Sequence, residues 1–199
     1  MTRWLVIPRR LALVVPLALA VSPANAHLMT TGLGQIYDGI SHFALSPEDL
    51  IPTAALAILA GQCGTAASRR VLFVLPAAWL LGGIAGLAAP TSPLPDIAWV
   101  SFVILGGLVA ANVTLPSEAI TALAIVLGLI HGFLNGATTG NPADGMRALV
   151  GIAAAIFVVC ALVAAGVVAG RWQPFRIGVR VVGSWTAALG ILLLGWSLR

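Results

Sequence analysis

Six apolar runs, separated by proline, glycine or charge, organise the chain after its N-terminal segment. They cover residues 49–66, 71–89, 96–114, 119–137, 147–169 and 178–197. Each can supply the roughly 20 residues that cross a hydrocarbon core about 30 Å thick. None alternates polar and apolar in the manner of a barrel strand. A spanning segment must satisfy its backbone polar groups internally, so the runs predict helices. The expected fold class is all-α: a polytopic membrane helical bundle of about six transmembrane helices.

The first 26 residues follow a different pattern. Arg3, Arg9 and Arg10 precede a short apolar stretch, Leu11 to Val21, interrupted by Pro16. Ala24-Asn25-Ala26 then supplies a small-residue cleavage site. This predicts a signal peptide over 1–26 and a mature membrane domain over 27–199 that begins at His27. Pro90, Pro93, Pro95, Pro116, Pro142 and Pro174 punctuate the loops, and Pro76, inside the second run, predicts a kink. Ser46-Pro47-Glu48-Asp49 reads as a helix start, with Ser46 as cap, proline in the first position and acids in the first turn. Gly82 and Gly86, and likewise Gly128, Gly132 and Gly136, recur at spacing four, which lets helix backbones approach closely. No internal repeat is legible, which speaks against an inverted-repeat transporter.

Composition makes lipid the solvent. Apolar residues are 60% of the chain, charged residues 8%, and the mean hydropathy is +1.06. A soluble domain carries about 25% charged residues. All ten basic residues are arginines, and they flank apolar runs instead of forming a basic face, so the pI near 10.5 does not indicate nucleic-acid binding. With the mature N-terminus outside, the inner loops hold Arg69, Arg70, Arg171, Arg176 and Arg180, while Asp38, Glu48, Asp49, Asp96 and Asp144 fall outside. The positive-inside rule thus agrees with the signal peptide: a bacterial inner-membrane protein with both mature termini in the periplasm. Trp99, Trp172 and Trp196 sit near span ends, where an aromatic belt belongs. Cys63 and Cys160 lie in or at the end of apolar runs, without CxxC or zinc spacing, and read as packing residues.

So few polar residues make each one informative. His27, at the new N-terminus, could chelate a metal through its amine and imidazole, a ligand pair suited to copper or nickel. Asp38 and His42 are four apart, on one face of any helix there. Asp49 stands at the predicted helix start. His131 lies inside the fourth run with Asn135 one turn on, and an ionisable group within a span is a functional hypothesis by default. Interhelical hydrogen bonding is the competing reading for His131, and helix capping for Asp49. His27, Asp38, His42, Asp49, His131 and Asn135 are the candidate metal ligands, with Ser101, Gln62 and Asn112 as weaker polar positions along an inner path. No nucleophile–base–acid set, Walker loop or dinucleotide fingerprint occurs, so neither an enzyme nor an ATP-driven pump is expected.

With these features the chain resembles the HupE/UreJ family of small membrane proteins, over nearly the whole mature length. The resemblance rests on the signal peptide ending before a histidine, the six spans, the tract from Gly39 to His42 ahead of the first span, and His131-Gly132 with Gly136 in the fourth. Against the family motifs, Gln35 stands where a histidine is expected and Ser41 where an aspartate is. Asn135 replaces a second histidine and Thr138 an acid. The resemblance implies a permease or delivery protein for nickel or cobalt, and by the donor types copper, with no resident cofactor. Asp38, His42 and Asp49 would capture the ion, and His131 with Asn135 would pass it inward. It alternatively implies a non-transporting accessory protein that supports assembly of a membrane metalloenzyme or works with its maturation factors. The small conduit that six helices enclose also makes a homo-oligomer a reasonable expectation.

Overall fold

The computed structural model describes residues 31–89, 98–138, 142–170 and 172–197, and among them every regular element is a helix. In chain order these are α1 (Gln35–Leu45), α2 (Pro47–Cys63), α3 (Thr65–Leu87), α4 (Ala98–Ala111), α5 (Ser117–Ala137), α6 (Pro142–Ala169) and α7 (Gln173–Ser197). The segment expected as signal peptide, and His27 with it, lies outside the described residues.

Four helices, α3, α5, α6 and α7, are long and apolar enough to cross a membrane, and α1 with α2 makes a fifth span if that bent pair is counted as one. Helix α4 is as apolar as any of them but has 14 residues. The run 96–114 is therefore helical over less than its length: the chain leaves the helix at Asn112, whose φ of 52° is left-handed, ahead of Pro116. The chain is a membrane protein by this architecture.

Helices α1 and α2 meet at 75°. The cause is local. A residue before proline is driven out of the helical region, and Ser46 is extended, with φ −97° and ψ 96°. Pro47 then opens α2 as expected. The Ser46 hydroxyl makes no capping bond, however; its carbonyl accepts from the Asp49 and Leu50 N–H groups. Between α2 and α3 the reversal takes the single residue Gly64, at φ 105° and ψ −176°, a conformation essentially confined to glycine.

Helix α2 runs through the middle of the bundle and touches every other described helix. Leu56, Leu59 and Ala60 on α2, Val71, Leu75 and Trp79 on α3, and Ile120, Ala124 and Ile156 on α5 and α6 form the buried core. Helices α3 and α5 pack parallel, and the two glycine stripes explain how. Gly82 and Gly86 lie against the backbone at Leu129 and Phe133, while Gly132 and Gly136 lie against the backbone at Trp79 and Gly83. A Cβ at any of these four would collide with a carbonyl oxygen. A second seam, antiparallel, joins α4 to α7 through Gly106, Gly183 and Gly190. Only a narrow stripe of α7 (Val179, Gly183, Thr186 and Gly190) is buried, and its other faces present Val181, Trp185, Leu192 and Trp196 outward. In a lipid solvent such faces carry no cost.

Candidate functional site

The break before α2 places Asp49 in the helix's first turn, facing inward and 2% exposed. Capping does not occupy its carboxylate. One oxygen lies 2.9 Å from His131 Nδ1, and the other accepts a hydrogen bond of 2.9 Å from Asn135 Nδ2. His131 and Asn135 project together because they are one turn apart on α5. The imidazole is 1% exposed, and the Trp79 ring lies against it at a centroid distance of 5.4 Å. Phe43, at the end of α1, meets Trp79 edge-on, so α1 closes this end of the bundle over the pair.

A carboxylate can only accept, so in the ionised pair Nδ1 carries a proton and donates to Asp49. Nε2 is then the nitrogen with a lone pair. It lies 3.4 Å from the Ser101 hydroxyl of α4. Both residues line a cavity of about 210 Å³ between α4 and α5, walled otherwise by Ile104, Leu105, Leu127 and Ile130. Two further buried groups have no partner among the described residues: the indole N–H of Trp79, whose ring lies against His131, and the hydroxyl of Thr53, one turn after Asp49. An isolated buried polar atom is costly, and such atoms next to an ionisable pair are suited to the oxygen atoms of a ligand.

Of the expected ligands, the structure thus brings Asp49, His131 and Asn135 together. It does not bring in Asp38 or His42. The Asp38 carboxylate is taken by the Thr31 N–H at 2.6 Å and the Thr31 hydroxyl at 2.7 Å, which fasten the chain ahead of α1. His42 is half-buried on α1 next to Phe43. No group of three or more histidine, cysteine or acidic side chains converges among the described residues. Ser101 joins His131, whereas Gln62 and Asn112 line a different cavity at the opposite end of α2. Trp79 and Thr53 carried no signal in the sequence, being an aromatic and a small hydroxyl residue inside apolar runs. Cys63 is engaged by backbone at Val113 and Leu115, and Cys160 is buried in the core.

A family model described as HupE / UreJ protein matches residues 15–193. No curated protein and no solved structure matches the chain.

Proposed function

Because the chain belongs to the HupE/UreJ family, a match that spans most of its length, we propose that it is a permease or delivery protein for a divalent transition-metal ion, with nickel and cobalt first and copper next. The observation that carries this reading is the buried Asp49–His131–Asn135 arrangement. A histidine that binds metal through one ring nitrogen characteristically donates the other N–H to a carboxylate, which fixes its tautomer and raises its basicity. His131 has that form: Asp49 holds Nδ1, and Nε2 stands at a cavity. Asp49 is then the residue that orients the ligand and balances the ion's charge, Asn135 holds Asp49, and His131 is the direct donor. His27, Asp38 and His42 belong to an outer approach. The membrane frame proposed is six spans after a cleaved signal peptide, with Arg69, Arg70, Arg176 and Arg180 at the cytoplasmic end and the Asp49–His131 pair toward the periplasm.

The test is calorimetric titration of the purified protein with nickel, cobalt, copper and zinc. Stoichiometric binding is expected, lost in His131→Ala and weakened about 10–100-fold in Asp49→Asn, the usual cost of removing a residue that orients a metal ligand. Wild-type protein that binds none of the four would sink the reading. One observation favours the accessory role instead: both Asp49 oxygens already have partners within the chain, so the trio could serve only to join α2 to α5. In that case His131→Ala lowers stability and leaves cellular metal uptake unchanged.

A further inference from the structure

The end of the bundle opposite the Asp49–His131 pair carries a second cavity, of about 470 Å³, and its lining is divided by chemistry. Gln62, Thr65, Asn112 and Arg176 provide polar groups, and Val167 and Phe175 are among its apolar walls. Five helix ends meet there: the C-terminal ends of α2, α4 and α6 and the first turns of α3 and α7. In a bundle that spans a bilayer this is the depth of the headgroups, where apolar chain gives way to polar phosphate. The exposed indole of Trp172, just before α7, marks the same level.

Charge decides what the cavity takes. Among the described residues, Arg176 is the one charged residue that lines it, no acid does, and the guanidinium has no acidic partner. Its neighbours Arg69 and Arg180 add positive charge at this end, whereas Arg70 is paired with Glu118 at 3.0 Å. A divalent cation lodged in this cavity would meet like charge with no acid in the described lining to offset it. A phosphate meets a planar fork of donors, the side-chain amide of Asn112 and the Thr65 hydroxyl. The apolar wall made by Val167 and Phe175 is of no use to a free inorganic anion, but it suits the start of an acyl chain.

We propose that this cavity is a binding site for the phosphate of an anionic phospholipid, held by Arg176 with Asn112 and Thr65 and with the glycerol end of its acyl chains against Val167 and Phe175. This site is independent of metal handling at the other end of α2.

The experiment is native mass spectrometry of the full chain released from vesicles of equal phosphatidylglycerol and phosphatidylcholine, beside Arg176→Gln, Asn112→Gly and Arg69→Gln. Asn112→Gly removes the amide while a glycine keeps the left-handed φ of 52°. Arg69→Gln removes a charge from the same end without touching the cavity. Wild type should retain phosphatidylglycerol in preference to phosphatidylcholine. Arg176→Gln should reduce that preference about tenfold, as expected for a lost charge-assisted hydrogen bond, and Asn112→Gly should reduce it less. Arg69→Gln and millimolar inorganic phosphate should leave it unchanged. Equal retention of both lipids by wild type, an unchanged preference in Arg176→Gln, an equal loss in Arg69→Gln, or displacement by inorganic phosphate would each overturn the proposal.

Discussion

Removing either member of the buried Asp49–His131 pair leaves the other without its partner in a place that water does not reach. The expected cost is about 3–5 kcal/mol for Asp49→Ala or His131→Ala. Because both changes remove the same interaction, the double variant should lose clearly less than the sum of the two, by about 0.5–3 kcal/mol. Denaturant titration of the purified variants measures this, and additive losses would show that the two side chains are not coupled. At this scale the sequence was informative wherever a polar residue interrupted an apolar run. His131 and Asn135 stood out as an i, i+4 pair, and Asp49 as an acid beside them in the expected cluster. The division of labour between Asp49 and the more distant Asp38 was not legible. It depends on Thr31 reaching back to Asp38 and on a bend that turns Asp49 inward, both of them tertiary facts. Nor could Trp79 be picked out, since its indole N–H matters only because His131 lies against its ring.

Among the elements, the glycine stripes were readable from their spacing of four, but not which helix they faced. The structure spends both on the α3–α5 seam, so the Gly128/Gly132/Gly136 face is not available to a separate protein. Gly132→Ala would push its Cβ into the Trp79 carbonyl oxygen and force the helices apart, at an expected cost of about 1–3 kcal/mol. Gly107→Ala is the matched control. It sits on α4 in open space, and replacing a helical glycine there should be neutral or stabilising by up to about 1 kcal/mol. Thermal unfolding of the two variants separates steric packing from helix propensity. The Ser46-Pro47 boundary was legible as a helix start, yet α1 escaped the count of spans because its residues mix apolar positions with Asp38, Ser41 and His42. Helix α4 was overestimated by hydropathy, because an apolar run says nothing of the left-handed turn at Asn112 that ends it.

For the whole molecule, arginine is distributed unequally between the two ends of the bundle. Arg69, Arg70, Arg176 and Arg180 lie at the ends of α3 and α7 away from the Asp49–His131 pair, and Arg147 lies at the pair's own end with Asp144 3.6 Å away. If that polarity sets orientation, a reporter enzyme active only outside the cytoplasm should be active when fused after Arg199 and inactive when inserted between Pro174 and Phe175. The opposite pattern would reverse the proposed topology.

The seam between α4 and α7 has a consequence for biosynthesis. Helix α4, at 14 residues, is shorter than every other described helix but α1, and its main neighbour is the last described helix. Gly106 and its contact Ala187 are roughly eighty residues apart, which at synthesis rates of about 5–20 residues per second is a wait of roughly 4–16 s. Through that interval α4 leans on α2 alone for most of its support, with its glycine face bare to lipid or to whatever escorts nascent helices. Closure of the bundle is therefore a late event, timed by the emergence of α7, and a ribosome stalled before Gly183 would leave a chain whose α2, α3 and α5 are already made but whose α4 glycine face is still uncovered.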